Sequence, residues 1–265
     1  MSAESRARLR DLLAGEAPDI VEANLLVAVE AYPDLDVRAY LRRVDALAEE
    51  VARRGGGVDQ VLATLRDAGL RGDRASYGDP RNSFLNEVLD RGRGLSIALS
   101  ALAVGVGARV GAPIAGVGLP GHFVVADLSG EEPRYVDPFG GWREISRADC
   151  ARLARETAGV ELRPGDLAPV DVRAMLVRMV MNLRGSYLAR TRLADALWTV
   201  EIALVARPGD GPLTRDLVVL LAGLGRYAAA EAEARAYLSI HPGSPERAAL
   251  ERQIAAIADI RRSMN

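Results

Sequence analysis

Apolar residues recur at helical spacing through residues 3–70, which predicts a helical N-terminal region. The clearest segment, Val37–Arg54, has one apolar face and ends at Gly55–Gly57. That face consists of Tyr40, Leu41, Val44, Leu47, Ala48 and Val51. Similar patterns predict helices over Ala17–Tyr32 and Val58–Ala68. We expect this region to contribute packing rather than chemistry.

A different pattern, apolar on all sides, covers residues 95–110. The turn Arg91–Gly94 precedes it, and Gly111–Pro113 follows it as a glycine-then-proline stop. Because this segment has no polar face, we expect a central, buried helix. A shorter helix is predicted just before it over Phe84–Asp90, with Ser83 as its N-cap.

The pattern then changes to strands, which are predicted over Ile114–Leu119, His122–Leu128 and Arg134–Phe139. The linker Ser129–Pro133 contains a glycine and a proline, and it indicates a hairpin between the last two strands. A small antiparallel sheet is therefore expected to follow the central helix.

The register of this hairpin decides where His122 lies relative to Asp137. A two-residue turn at Ser129–Gly130 places them directly opposite each other. A four-residue turn centred on Gly130–Glu131 makes them diagonal neighbours on one face. Only a loop of odd length separates them, because it moves one side chain to the other face. The hairpin alone can therefore place a carboxylate beside an imidazole.

Towards the C-terminus the pattern is helical again and contains an internal repeat. The segments Arg192–Ala196 and Arg226–Ala230 lie 34 residues apart. A helix–turn–helix pattern with this period and a closing proline resembles the tetratricopeptide repeat. Ala196 and Ala230 are expected where the paired helices approach most closely. A terminal helix over Pro245–Arg262 is expected to cap the array.

Composition narrows the functional classes. The chain has 265 residues, 49% of them apolar, which is enough for one large domain or two ordinary ones. Its net charge of −2 gives no electrostatic attraction to nucleic acid or to an anionic membrane. The longest apolar run, 14 residues, is shorter than the roughly 20 that cross a bilayer. All 34 basic residues are arginines, which excludes a lysine nucleophile or Schiff base.

Cysteine and histidine usage limits metal and disulfide chemistry. Cys150 is the only cysteine, so we expect no internal disulfide and no cysteine-based zinc cluster. The two histidines, His122 and His241, are far apart in the sequence, and no metal or other cofactor is expected. The charged N-terminus lacks the apolar core of a signal peptide, so a reducing, cytoplasmic location is expected.

Three residues in this order, Ser96, His122 and Asp137, have the chemistry of a catalytic triad. Ser96 lies at the predicted start of the central helix, where unpaired backbone N–H groups and the helix dipole stabilise an anion. His122 would act as the base and Asp137 would orient it. Each residue also has a structural interpretation: an N-cap for Ser96, and a hairpin pair or an Asp–Pro turn for the others. The pattern leaves both interpretations open.

The motifs at these residues resemble a known family. The segments DPRNSFLNEVLDRGRGLSIALS, GVGLPGHFVV and YVDPFGG, followed by tetratricopeptide-like helices, resemble the bacterial SirB-type family. The resemblance implies a transglutaminase-like core, related to papain-like cysteine enzymes, and a C-terminal tetratricopeptide region. It also implies a nucleophile at the start of the central helix, and it matches His122 and Asp137 to the other two triad positions. In those enzymes the nucleophile is a cysteine, whereas Ser96 occupies the matching position here.

Five further residues are expected to shape the same cleft. Asn82, Arg93 and Gly94 surround the turn before the central helix. Gly121 is expected to let the chain bend before the histidine, and Trp142 is a candidate wall of the cleft.

We therefore predict an α+β protein with a transglutaminase- or papain-like core, a small antiparallel sheet and an all-α tetratricopeptide-like region. The core domain is expected over residues 1–165, with a helical lead-in over 1–75 and the core proper over 76–165. The tetratricopeptide-like domain is expected over residues 166–265. The first hypothesis is a non-catalytic, regulatory protein that binds a peptide or protein through the cleft and the repeat surface, without nucleic-acid or membrane partners. The alternative is a hydrolase or acyltransferase that acts on an amide or ester through Ser96, His122 and Asp137.

Overall fold

Helices form most of the part of the chain that this computed structural model describes, residues 3–263. In chain order the helices are α1 (Ala3–Ala14), α2 (Ile20–Ala28), α3 (Val37–Arg53), α4 (Val58–Asp67), α5 (Leu85–Arg91), α6 (Ser96–Val110), α7 (Arg147–Ala158), α8 (Val172–Leu188), α9 (Leu193–Ala206), α10 (Gly211–Gly223), α11 (Tyr227–Ile240) and α12 (Arg247–Ser263). The strands are β1 (Arg71–Gly72), β2 (Arg93–Gly94), β3 (Ile114–Val117), β4 (Val124–Asp127), β5 (Arg134–Asp137), β6 (Arg143–Ile145) and β7 (Pro169–Val170). Short 3-10 helices lie at Pro80–Ser83 and Pro164–Leu167. The predicted α+β class is confirmed.

The chain divides into two units, Met1–Met179 and Val180–Asn265, and the boundary falls within α8. The first unit contains the strands, and the second contains α9 to α12.

The apolar segment after Leu95 forms α6, the buried helix that the sequence predicts. Leu95 is its N-cap, and Gly111 ends it with a left-handed φ of +69°. Every residue from Ser96 to Ala103 is buried. The helix contacts α2, α3 and α4 as well as strands β3 and β4, so it forms the centre of the first unit.

Within residues 3–263 the predicted strands form the middle of a five-stranded antiparallel sheet with the order β6-β5-β4-β3-β7. The strands are shorter than predicted, and β4 begins at Val124 rather than at His122. A turn explains this difference, because the His122 N–H donates to the Leu119 carbonyl at 3.3 Å instead of joining the sheet. The edge strands β6 and β7 are too short to show an alternating pattern, so periodicity does not predict them.

The hairpin between β4 and β5 has the register of the four-residue turn. Val125 pairs with Val136, which places Val124 opposite Asp137. His122 lies two residues before Val124 and therefore projects to the same face as Asp137, as its diagonal neighbour.

The start of α5 differs from the sequence prediction. Ser83 ends a 3-10 helix, and Phe84 occupies the N-cap without a capping side chain. Asn24 in α2 accepts a hydrogen bond from the Leu85 N–H at 2.8 Å and donates to the Ser83 carbonyl at 3.1 Å. The predicted Ser83 N-cap is wrong, because a fully buried amide 61 positions away in the sequence supplies the acceptor.

The second unit has the predicted repeat spacing. Helices α9 and α11 are each 14 residues long and begin 34 positions apart, at Leu193 and Tyr227. Ala196 and Ala230 are both fully buried, as expected where paired helices approach most closely. Helix α12 contacts α10 and α11, which agrees with its predicted role as a cap.

Candidate functional site

His122 follows a tight turn that only glycine can make comfortably. Gly121 has a φ of +70°, and a Cβ at this position would lie 2.5 Å from the Thr157 hydroxyl oxygen. The Thr157 hydroxyl donates to the Pro120 carbonyl at 3.1 Å and ties α7 to the turn. The turn thus places His122 two residues before the start of β4, where the residue is only 6% exposed.

Asp137 is the hydrogen-bond partner of this histidine. The distance between His122 Nε2 and Asp137 Oδ1 is 2.9 Å, and the Phe139 N–H donates to the same oxygen at 3.1 Å. Burial opposes ionisation of the Asp137 carboxyl, but the hydrogen bond and charge of His122 and the N–H groups of Gly140 and Phe139 outweigh it. The pKa of Asp137 is therefore held below its usual range.

The ionised state of Asp137 assigns roles to the two ring nitrogens of His122. An ionised carboxylate only accepts hydrogen bonds, so Nε2 donates its proton to Asp137. In the neutral imidazole Nδ1 then keeps a lone pair. The pair can accordingly orient an imidazole, and it can take up a proton at Nδ1.

Arg178 in α8 binds the backbone at both ends of the same turn. Its Nη2 donates to the Leu119 carbonyl at 2.5 Å and to the His122 carbonyl at 2.7 Å. The guanidinium also lies over the Phe123 ring, 5.4 Å from the centroid. Burial lowers the pKa of Arg178. This residue therefore positions the backbone of His122, and the sequence patterns do not point to it.

The start of α6 is held by a polar network around Asn82. The Leu95 N–H donates to the Asn82 carbonyl at 2.9 Å. The fully buried Asn82 side chain donates to the Ser76 carbonyl at 2.7 Å and accepts from Arg91 Nη2 at 3.0 Å. Arg91 in turn pairs with the buried Asp73 at 3.2 Å. Asn82 thus fixes the backbone at the start of α6. The sequence pattern also predicts this residue at the turn before the helix.

Ser96 is the first residue of α6 and is 6% exposed. Within residues 3–263 its hydroxyl makes no hydrogen bond, either to His122 or to another residue. The structure therefore joins His122 to Asp137 directly, but it shows no such contact between Ser96 and His122.

A cavity of about 400 Å³ opens beside the histidine–aspartate pair. Its lining consists of Arg74, Tyr77, Gly121, His122, Asp137, Phe139, Arg143, Arg152, Leu153, Glu156 and Thr157. Ser96 and the other predicted cleft residues apart from Gly121 are not in this lining. The lining combines aromatic rings with arginines, which suits an anionic ligand that has an apolar part.

The remaining predicted cleft residues have structural contacts. Arg93 is exposed, and its strand pairs in parallel with β1. The Gly94 carbonyl accepts from the Asp73 N–H at 3.2 Å. The indole Nε1 of Trp142 donates to the Leu70 carbonyl at 2.7 Å, and its backbone N–H donates to the Asp137 carbonyl at 2.9 Å. Trp142 therefore anchors the turn after β5 from outside the cavity.

Cys150 lies in α7 and is fully buried. Its thiol packs in the apolar cluster behind the sheet, which also includes Val117, Leu119, Val124, Ala126, Tyr135 and Ile145. Burial, with the charges of Asp149 and Asp137, raises the pKa of this thiol to about 11. Such a thiol is a poor nucleophile, because the thiolate is the reactive form.

Among the described residues, 3–263, no group of three or more histidine, cysteine, aspartate or glutamate side chains is arranged to hold a metal ion. The helices in the same part of the chain include none that is both long and apolar enough to cross a membrane.

Sequence reasoning missed most of the cavity lining. Phe139 belongs to the YVDPFGG segment, so its position next to Asp137 could have drawn attention to it. Arg74 and Tyr77 lie in a turn-rich stretch without any periodic signal, and Arg143 lies in an edge strand that the pattern does not predict. Arg74 and Tyr77 reach the cavity because their loop packs against Phe139, whereas Arg143 reaches it because β6 pairs with β5 opposite Asp137.

Comparisons with known proteins agree with this architecture. Residues 38–181 match the family described as "Transglutaminase-like superfamily", and residues 183–255 match a tetratricopeptide repeat family. A UPF0162 protein of Xylella fastidiosa is 30% identical over 245 residues, which cover 86% of this chain and 86% of the relative. A UPF0162 protein of Vibrio cholerae is 29% identical over 192 residues, 72% of this chain and 71% of the relative. F-box only protein 21 of Mus musculus is 29% identical over 161 residues, 57% of this chain and 25% of that protein.

Proposed function

We propose that this chain, which belongs to the UPF0162 (SirB-type) family, is a non-catalytic, regulatory binding protein. Its architecture is a transglutaminase-like core followed by tetratricopeptide repeats. Its ligand is a peptide or a segment of a partner protein. The cavity beside His122 and the surface of the repeats are the two places where that ligand binds.

The chemistry at the start of α6 supports the absence of catalysis. A serine hydroxyl is far harder to deprotonate than a thiol, and a helix dipole contributes only about 0.3–1 kcal/mol there. A serine nucleophile therefore needs a histidine base within hydrogen-bond reach. Ser96 makes no such bond in the described residues, and this observation carries the proposal. The only cysteine lies buried in α7.

The binding part of the proposal rests on two surfaces. The cavity of about 400 Å³ is open to solvent at Tyr77, which is 53% exposed. Tetratricopeptide arrays commonly present extended surfaces on which peptides bind. A retained histidine–aspartate pair fits a binding role as well, because a rigid, buried pair keeps the cavity in shape.

A second candidate is a hydrolase or acyltransferase that uses Ser96, His122 and Asp137. The 2.9 Å hydrogen bond between His122 and Asp137 favours it, since it leaves Nδ1 able to accept a proton. In this candidate Ser96 would have to change its rotamer or position when substrate binds.

A fluorophosphonate activity probe separates the two candidates. The wild type and the variants Ser96→Ala and His122→Gln are incubated with the probe, and covalent labelling is read by mass spectrometry. We expect no labelling of the wild type. Labelling at Ser96 that both variants abolish would overturn the non-catalytic proposal and establish the second candidate.

Site-specific photo-crosslinking tests binding. Benzoylphenylalanine replaces Tyr77 at the cavity in one variant and Ile240 in α11 in another, since both side chains are well exposed at 53% and 72%. Cross-linked peptides are identified from the native host. We expect discrete partner adducts from at least one position, whereas the absence of adducts from both would contradict a binding role.

A further inference from the structure

Two of the three arginines that line the cavity beside His122 form no ion pair with any carboxylate of residues 3–263. Arg74 and Arg143 are exposed and line the cavity, and within residues 3–263 neither forms an ion pair. Arg152 on the same lining differs, because it pairs with Asp149 at 2.6 Å and with Glu156 at 3.5 Å. The guanidinium groups of Arg74 and Arg143 therefore have hydrogen-bond donors available for a ligand.

Aromatic rings hold one of these arginines in place. The Arg74 guanidinium lies over the Phe139 ring, 5.5 Å from its centroid. Phe139 meets Tyr77 edge-on at 5.8 Å and His122 edge-on at 5.9 Å, so the three rings form one wall. Stacking on an aromatic face leaves the N–H edge of a guanidinium exposed. Because the arginine side chain is already ordered, it loses less conformational entropy when that edge binds a ligand.

The acidic groups of the lining limit the charge of the ligand. Asp137 is 3% exposed and accepts a hydrogen bond from His122. Glu156 is exposed and forms an ion pair with Arg152. The net charge of the lining side chains that a ligand can reach is positive. A doubly charged phosphate would nevertheless be repelled by the carboxylates of Asp137 and Glu156. A singly charged, planar carboxylate matches the fork of a guanidinium and meets less repulsion.

We propose that the cavity binds a carboxylate-bearing segment of the partner protein, and that Arg74 and Arg143 hold the carboxylate while the aromatic wall contacts the neighbouring apolar atoms. This deepens the proposed function and rests on it. A volume of about 400 Å³ takes a chain end or a short run of side chains rather than a folded domain. The carboxylate belongs to either an acidic side chain or a chain terminus.

Binding of the full-length protein to a peptide array tests the assignment. The array holds random octapeptides in three sets: free C-termini, amidated C-termini, and amidated C-termini with a phosphoserine. The strongest peptides and their neutral isosteres, glutamine for glutamate or amide for acid, are then measured by fluorescence polarisation. Comparison of the first two sets distinguishes a chain terminus from an acidic side chain.

The variant Arg74→Gln/Arg143→Gln removes the two cavity arginines. The control Arg53→Gln/Arg155→Gln changes net charge equally at two exposed arginines outside the cavity. Thermal melting establishes that each variant is folded, and the single variant Arg143→Gln replaces the double variant if that one is unfolded.

We expect neutral isosteres to bind about tenfold to a hundredfold more weakly in the wild type and in the control, since charged hydrogen bonds are lost. The cavity variant should not discriminate between acid and isostere. Three results would overturn the assignment and leave the proposed function intact. They are equal binding of acid and isostere to the wild type, selection of phosphoserine peptides alone, and unchanged discrimination in the cavity variant. An array without any enriched peptide would overturn the proposed function itself.

Discussion

His122 Nε2 lies 2.9 Å from Asp137 Oδ1, and both side chains are almost entirely buried. Hydrogen bonds from two other parts of the chain hold this pair in place. The Phe139 N–H donates to the same carboxylate oxygen, and Arg178 binds the His122 carbonyl from α8. Substitutions in this framework should therefore affect stability even where no reaction is catalysed.

Replacing Asp137 with asparagine should lower the free energy of unfolding at pH 7 by about 1–3 kcal/mol, because the buried imidazole loses its charged partner. The folded pKa of Asp137 is below the unfolded value, so its stabilising effect is present above about pH 4 and is lost as the pH falls through the folded pKa. Urea unfolding of wild type and Asp137→Asn at a series of pH values should show two curves that converge in acid. Asp34→Asn, in an exposed turn, controls for the charge. A constant difference at all pH values would contradict the pairing.

Asn24→Ala should cost about 2 kcal/mol of unfolding free energy, because it leaves the Leu85 N–H and the Ser83 carbonyl without their partner. Ser83→Ala is the matched control. The Ser83 hydroxyl is buried without a hydrogen-bond partner in the described structure, so its removal should change stability by less than about 0.5 kcal/mol. Chemical denaturation of both variants measures the effect, and equal losses would count against capping from α2.

Gly72→Ala should destabilise the protein and disturb the cavity. A Cβ at Gly72 would lie 2.6 Å from both the ring and the carbonyl oxygen of Phe139, so Phe139 would have to move. We expect a loss of about 1–3 kcal/mol and a drop in melting temperature. Gly78→Ala, which has nothing within 4 Å of the added atom, should be neutral or slightly stabilising. Similar melting temperatures for the two variants would contradict the close approach.

The Cys150 thiol should be unreactive in the folded protein. With its pKa raised to about 11 by burial and nearby carboxylates, only about one molecule in a thousand carries a thiolate at pH 8. Dithiobis(nitrobenzoate) should therefore react slowly in native buffer and rapidly in guanidinium chloride. The variant Cys150→Ser/Ala75→Cys places a thiol at an exposed position and should react at once in both conditions. Fast native labelling of Cys150 would show that α7 opens readily.

Periodicity made the helices and the middle strands predictable. Spacings of 3.6 and 2 residues depend only on neighbours along the chain, so helix α3 and strands β3 to β5 are visible in the sequence. Helix α6 is visible for a different local reason, because its segment is apolar on all sides between two glycine-containing turns. The same holds for the 34-residue offset between Ala196 and Ala230, which are both buried. The family resemblance, carried by the motifs around Ser96, His122 and Asp137, is confirmed by the family matches.

Polar contacts between distant segments were not predictable. The cap of α5 comes from Asn24, 61 residues before Leu85, and no local pattern marks that amide as a capping group. The same applies to Arg178, which binds a carbonyl 56 residues earlier in the chain. Such contacts depend on how helices pack, and packing is set by the whole core rather than by neighbouring residues.

The sequence by itself determined the order of the elements and the repeat, and it limited His122 and Asp137 to a common face for every hairpin loop of even length, which is the register that the structure has. Only the tertiary structure decided that Arg74 and Arg143 meet at one cavity, and that the Ser96 hydroxyl makes no bond to His122. The physical reason is distance along the chain. A hairpin places its residues through local backbone geometry, whereas residues from separate elements meet at distances that the packing of the complete core decides.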